Sequence, residues 1–355
     1  MREGLIAIDG SRGEGGGQIL RTSLALAMIT GRPIQIRNIR AGRAKPGLRR
    51  QHLACVEAAA ALCHATVHGA EVGSRYLELV PGPITGGELV IDIGTAGSTT
   101  LVVQTVLVPA IAAGCSLRMV VRGGTHNPMA PPFDFLDRVF LPHLRAMGAD
   151  VRLTLERHGF ASGGARSLER DERDRGQLTL EVGPGRLQPI SLVESGPIVA
   201  RKATALVARL PTHVAERELA IVQDRLGLAR SEREIRDVSG EGGPANALML
   251  EIERRAGDHP VRELVTGFGE KGVRAELVAT RACDELSAYL AADVPVGEHL
   301  ADQLLLPMAV AGGGRFRCAP LSSHATTNIE TIGHFLDVPI RVERQGTTDV
   351  IAVGA

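Results

Sequence analysis

Gln18-Ile19-Leu20, Gln104-Thr105-Val106-Leu107 and Gln303-Leu304-Leu305-Leu306 decide how this chain folds. Each sets a glutamine in an apolar stretch of helical spacing, and each stretch stops at a glycine: Gly31, Gly114 and Gly312. Around the first, a strand at 5–9 leads through the Gly-rich residues 13–17 into a helix at 18–30. A strand at 34–36 follows, then a helix introduced by Pro46-Gly47 and running to 63, then strands at 66–68 and 76–80. The second copy gives a strand at 89–93, Gly94-Thr95-Ala96-Gly97, a helix to 113, a strand at 116–121, a helix at 133–147 and a strand at 150–155. The third gives helices at 274–290 and 299–311, a strand at 315–318, a helix at 322–335, and strands at 339–342 and 349–353.

This order is a β-α-β-α-β-β unit used three times, with the first two copies about 85 residues apart. Each unit is expected to lay two helices on one face of a four-stranded sheet. The expected fold is therefore α/β, of the α+β kind: three βαβαββ repeats with a small α/β domain inserted between the second and third. The repeats fall near 1–84, 85–186 and 276–355, so that 1–186 and 276–355 form one domain. The charged segment 187–275 fits no unit and is expected to be the insert. Residues 168–176 (Leu-Glu-Arg-Asp-Glu-Arg-Asp-Arg-Gly) are expected to form an exposed loop.

Composition narrows the function. The 355 residues carry 40 Lys+Arg against 40 Asp+Glu, and 44 % are hydrophobic, which supplies an ordinary globular core. No apolar run approaches the roughly 18 residues of a membrane span, and Glu3 and Asp9 interrupt the first apolar run, so no signal peptide is expected. Five scattered cysteines form no C-x-x-C, which argues against a zinc site or a disulfide framework and fits a reducing cytoplasm. Aromatics at 3 %, with no Trp, argue against a large nucleobase-stacking platform.

The first fifty residues carry Arg2, Arg12, Arg21, Arg32, Arg37, Arg40, Arg43, Lys45, Arg49 and Arg50, opposed only by Glu3, Asp9 and Glu14. The guanidinium fork matches phosphate oxygens. A solvated face in an Arg-biased chain fits the same residues, since Lys occurs only at 45, 202 and 271.

Several routes to nucleotide chemistry are absent. No Lys follows Gly, so there is no P-loop; the Gly13–Gln18 stretch has Gln where a dinucleotide fingerprint needs its last Gly; and Ala7-Ile8-Asp9-Gly10 has Ala where lysine-adenylating ligases carry the nucleophile. The Gly-rich turn before a helix still lets backbone N–H groups approach a phosphate. Glu14 would repel a naked phosphate, and Mg²⁺ or Mn²⁺ between them resolves the conflict; a flexible turn with a solvated Glu is the other reading. In Ser322-Ser323-His324-Ala325-Thr326-Thr327-Asn328, either serine fits a helix cap. His324 falls in the first turn, where the dipole favours the neutral, nucleophilic imidazole. A lone His is also often structural.

Taken together, these residues resemble the RNA 3′-terminal phosphate cyclase family. The resemblance rests on Asp9-Gly10 with Gly13-Glu14-Gly15-Gly16-Gly17-Gln18-Ile19-Leu20-Arg21, on Ile39-Arg40-Ala41-Gly42-Arg43 with Pro46-Gly47-Leu48 and Gln51-His52, and on Gly123-Gly124-Thr125 with Asn127-Pro128 and Ala130-Pro131-Pro132. It continues through Arg157-His158-Gly159-Phe160, Gly269-Glu270-Lys271-Gly272, Leu300-Ala301-Asp302-Gln303, and Ser323-His324 with Thr327-Asn328. The pieces run in family order from the first strand to the last helix.

The resemblance implies three βαβαββ repeats with a small insert, and a reaction in which ATP adenylylates a histidine. AMP then passes to an RNA 3′-phosphate, and the adjacent 2′-OH closes a 2′,3′-cyclic phosphate. It implies His324 as nucleophile, Glu14 as metal ligand, and Arg21, Arg40, Arg43, Gln51 and His52 as the phosphate and active-site cluster. It implies an adenylate pocket from Gln104, Pro131, His299, Leu300, Ala301, Asp302 and Gln303. ATP as substrate, Mg²⁺ or Mn²⁺, RNA ending in a 3′-phosphate, a cytoplasmic location, no membrane and a homodimer complete the expectations.

His299 stands where an aromatic Tyr is common, which implies a changed nucleotide affinity. Residues 160–164 lack the family's Pro-containing turn. A non-catalytic cyclase-like protein of ribosome assembly is an alternative, opposed by His324, Glu14 and Arg43. An enolpyruvyl-type transferase on the same repeat lacks motif support, and DNA 3′-phosphates or 5′-phosphates are alternative acceptors.

Overall fold

The computed structural model describes residues 4–13, 15–160, 175–256 and 259–354. Glu14, residues 161–164 of the departure noted above and residues 168–174 of the expected loop lie outside the described residues. The first unit begins with β1 (Ile6–Asp9), which buries Ile6 and Ile8 and exposes alternate positions, as a half-buried strand must. Helix α1 (Gln18–Thr30) ends at Gly31, whose φ of 67° is a left-handed stop that glycine adopts without a Cβ clash. Then come β2 (Ile34–Arg37), α2 (Arg50–Cys63), β3 (Thr66–His68) and β4 (Leu77–Val80).

The second unit repeats the order with β5 (Gly87–Asp92), α3 (Thr99–Ala113), β6 (Leu117–Gly123), then α4 (Phe133–Phe135) and α5 (Leu141–Ala146), and last β7 (Val151–Arg157) and β8 (Gly176–Val182). The expected single helix at 133–147 is interrupted by a π turn at Leu136–Phe140. Pro142, in the first turn of α5, has no N–H to continue the α ladder, so the chain widens ahead of it.

The third unit differs from expectation. It opens at β9 (Ser191–Leu192). A segment of β10 (Ile198–Ala208), α6 (His213–Leu226), β11 (Arg233–Asp237), β12 (Ala245–Ala256), β13 (His259–Phe268) and α7 (Ala275–Ala292) then intervenes. The unit resumes with α8 (Glu298–Val310), β14 (Gly314–Cys318), α9 (Ser323–Gly333), β15 (Ile340–Gln345) and β16 (Thr348–Val353). The sheets have strand orders β1-β2-β4-β3, β5-β6-β8-β7 and β9-β14-β16-β15, the same topology three times. In each, the first two strands pair parallel across a helical crossover and the remaining pairs are antiparallel.

The inserted strands form their own sheet, β11-β10-β12-β13. Helix α7, assigned from sequence to the third repeat, packs on that sheet with Ala279, Ala282, Cys283 and Leu286 buried in the insert's separate core. The segment thus lies between β9 and α8, inside the third unit rather than ahead of it. Periodicity marks a helix but not the sheet it covers, and two residues of β9 are too few to show a pattern. Helices α1, α2, α3, α8 and α9 pack among themselves inside one core shared by the three units.

Candidate active site

The N-terminal turn of α9 carries His324. Ser322 caps the helix, its hydroxyl accepting from the Ala325 N–H at 3.3 Å. His324 Nδ1 lies 2.9 Å from Gln18 Oε1. The Gln18 amide nitrogen donates to Asp302 Oδ1, which orients the amide and makes Oε1 the acceptor toward the imidazole. Nδ1 is therefore the protonated nitrogen, and the ring's lone pair resides on Nε2.

Asp302 also accepts from Asn328 Nδ2, through both its carboxylate and its backbone oxygen at 3.0 Å. Thr22 in turn donates to Asn328 Oδ1 at 3.0 Å. Burial pushes the Asp302 carboxyl above the usual range, while His324, Asn328, Arg21 and Gln18 pull it back. The chain His324–Gln18–Asp302–Asn328–Thr22 thus joins α9, α1 and α8 around the imidazole.

The Gly-rich turn is held against this network. Gly13 has φ of 52°, and a Cβ there would collide with Thr327 Oγ1 and Cγ2 on α9. A Cβ on Gly17 would lie 2.6 Å from His52 Nε2 and 3.1 Å from an Arg21 guanidinium nitrogen. His52 is buried, accepts the Arg49 N–H on Nδ1 at 3.1 Å, and has its pKa driven down to about 3 by burial and then by Arg40, Arg21 and Arg49. It is a neutral ring that presents Nε2–H.

Arg21 is pulled below its ordinary value by burial. Arg40, at φ of 54°, donates to the carbonyls of Lys45 and Gly47 at 2.8 Å and so shapes the basic loop. Arg43 sits half-buried in that loop, its N–H bonded to Arg40 O. Gln51 reaches the second unit, where Oε1 accepts the Ser98 N–H at 3.0 Å just ahead of α3.

The three glutamines that mark the repeats meet. Gln18, Gln104 and Gln303 line one cavity of about 70 Å³ with Arg21, Asp302 and Asn328. Gln303 Oε1 is buried without a hydrogen-bond partner among the described residues, a polar atom that a ligand donor would satisfy. Pro131 precedes α4, and its carbonyl accepts from Thr100 Oγ1 at 2.7 Å. His299 is exposed, edge-on to Phe135 with ring centroids 6.5 Å apart, and 3.8 Å from Glu285.

Leu300 and Ala301 turn their side chains into the core, at 0 % and 1 % exposure. Asp302 and Gln303 line the cavity and His299 is exposed, so the two apolar positions supply packing. Sequence reading missed Gln18, Asn328 and Thr22 as site residues. Gln18 was visible as a marker of the repeat and, like Asn328, within the motifs that carry the family resemblance, and these were the available signals. Among the described residues no three His, Cys, Asp or Glu side chains group to hold a metal ion. A nucleotide-borne Mg²⁺ takes most of its ligands from phosphate oxygens and water and needs only one or two carboxylates.

The family model for RNA 3′-terminal phosphate cyclase matches residues 12–342. A protein of that name from Ectopseudomonas mendocina is 47 % identical over 340 residues, covering 96 % of this chain and 95 % of its own. One from Pseudomonas fluorescens is 46 % identical over 351 residues, covering 99 % and 97 %. One from Koribacter versatilis is 45 % identical over 342 residues, covering 96 % and 92 %. With a threefold βαβαββ fold that gathers His324, Gln18 and Asp302 at one point, and with matches that run nearly end to end, the chain belongs to the RNA 3′-terminal phosphate cyclase family.

Proposed function

We propose that this protein converts an RNA 3′-terminal phosphate into a 2′,3′-cyclic phosphodiester, using ATP and working through a covalent histidine–AMP intermediate. The observation that carries the proposal is the bond from His324 Nδ1 to Gln18 Oε1, which puts the ring's lone pair on Nε2, the atom that would attack. In the first step Nε2 attacks the α-phosphorus of ATP, a P–N bond forms, and pyrophosphate leaves with the electrons of the broken P–O bond. In the second, an oxygen of the RNA 3′-phosphate displaces His324 from AMP. In the third, the 2′-OH attacks the activated 3′-phosphorus, loses its proton, and AMP departs.

AMP is a far better leaving group than oxide, and the 2′-OH is already held beside the phosphorus, so proximity supplies much of the rate. Arg21, Arg40 and Arg43 are proposed to meet phosphate charge, and the neutral His52 to offer an N–H donor. Gln104, Gln303 and Pro131 are proposed to bound the adenylate, with His299 at its rim. Mg²⁺ or Mn²⁺ bound with the nucleotide would neutralise triphosphate charge. Glu14 is proposed as its ligand on the strength of its motif.

No helix among the described residues is long and apolar enough to cross a membrane, and we place the reaction in the cytoplasm on the cysteine usage. The test pairs wild type with His324→Ala on a 3′-phosphorylated RNA oligonucleotide and ATP. Wild type should make the terminal phosphate resistant to phosphatase and the variant should not. Resistance formed by the variant would refute the proposal.

A further inference from the structure

A second and larger cavity, about 410 Å³, opens where the insert meets the second unit. One wall comes from the loop after β6 and the turn after β7. There His126 Nε2 is bonded to Asp134 at 2.9 Å and its Nδ1 to Thr125 at 2.8 Å. The His126 ring stacks on His158 with centroids 5.3 Å apart, and His158 stacks on Phe160 at 6.0 Å. Glu241 of the insert fixes His158 by accepting from both its backbone N–H, at 2.7 Å, and its Nδ1, at 2.8 Å.

The opposite wall belongs to the insert and carries Phe268, Asn246, Glu270 and Lys271. Asn246 commits its amide nitrogen to Glu218 at 2.9 Å and to Leu206 O at 3.3 Å, so its carbonyl oxygen is the atom it has left to offer. The chain has only seven Phe, two Tyr and no Trp. Two of those Phe, a ring-stacked His and one of three lysines converge on this one cleft.

We propose that this cleft takes a nucleobase of the RNA, a few nucleotides upstream of the 3′ end. The volume suits a base with its sugar. The rings of His126 and Phe160 on one side and Phe268 on the other suit aromatic contact with a base. The Asn246 oxygen and the Glu270 carboxylate accept from amino and imino groups, and Lys271 meets the adjoining phosphate. The position suits it too: Pro128 lines the cleft, and Pro131 of the proposed adenylate pocket is three residues further on, which cannot span more than about 11 Å. The assignment extends the cyclase reading, since it makes the insert a reader of the strand whose end reacts. A single-base cleft also accords with a chain too poor in aromatics for an extended platform.

The test is binding without turnover, so it stands apart from whether cyclisation occurs. Filter binding of 3′-phosphorylated RNA is compared with RNAs abasic at each of the last five positions, for wild type and for Phe268→Ala and Lys271→Ala. One abasic position should weaken wild-type binding about 5- to 100-fold, and the same change should cost Phe268→Ala less than twofold. Self-adenylylation by ATP alone should match wild type in both variants, showing that they fold. Equal abasic penalties in wild type and Phe268→Ala at every position would overturn the proposal. So would a second equivalent of free AMP or GMP, bound by wild type and lost in Phe268→Ala without abasic coupling, because the cleft would then hold a free nucleotide. If self-adenylylation fails in wild type while abasic coupling persists, the mechanism falls and the base site stands.

Discussion

Replacing Gln18 with Leu keeps most of the side chain's bulk in its buried position, one atom shorter, and removes two bonds, the acceptor for His324 Nδ1 and the donor to Asp302. The neutral bond to His324 is worth about 1 kcal/mol net. Its loss frees the imidazole to turn and to place its proton on either nitrogen. On tautomer population alone that costs about fivefold in rate, and a displacement of the attacking atom by about 1 Å costs up to a further hundredfold. Self-adenylylation by Gln18→Leu should therefore be slowed about 5- to 500-fold.

Asp302 keeps its two bonds from Asn328, so the fold survives with a loss of about 1–3 kcal/mol from the missing charge-assisted bond. The assay is single-turnover transfer of AMP to the protein, measured beside a urea titration. A stability loss of that size with an unchanged adenylylation rate would refute the positioning role of Gln18. Gln18→Glu, which retains the acceptor, should be faster than Gln18→Leu.

Gly13→Ala should destabilise by about 2–4 kcal/mol in urea denaturation, combining left-handed strain with overpacking against Thr327; pairing it with Thr327→Ala should recover the steric part, and strict additivity would deny the contact. His52 has a folded pKa near 3 against about 6.5 when unfolded, so below pH 6.5 the unfolded chain binds the extra proton and stability falls. About 2–3 kcal/mol should be lost between pH 6.5 and 4.5 through this group, and His52→Gln should flatten the urea midpoint over that range. Glu263 has the opposite sign: burial and then neighbouring Glu285 raise it to about 8, so its contribution is full below about pH 4.5 and is lost as pH rises through 8. Thermal melts of Glu263→Gln should decline less than wild type between pH 6 and pH 9, and parallel curves would contradict the assignment.

Local pattern reveals α1, α3 and the short β3 nearly to the residue, because glycine stops and apolar spacing act within a few positions. The same glutamine register made the threefold repeat legible. That Gln18, Gln104 and Gln303 face one cavity was not legible, since it depends on how three units close on each other. The two-residue β9 leaves no periodic trace, and α7 shows an apolar stripe without naming the sheet that buries it. The neutral state of His52 arises from burial among Arg21, Arg40 and Arg49, which sequence proximity suggests only in part. The cluster of His126, His158 and Glu241 joins segments 83 residues apart and has no local signature.

The most direct measurement incubates the protein with α-labelled ATP and Mg²⁺ or Mn²⁺, denatures it, and follows label on the polypeptide, with His324→Ala alongside. Acid-labile, alkali-stable label on wild type that vanishes in His324→Ala is the expected result. Equal label on both proteins, or none on wild type while ATP binding is intact, would contradict a histidine–AMP intermediate at His324.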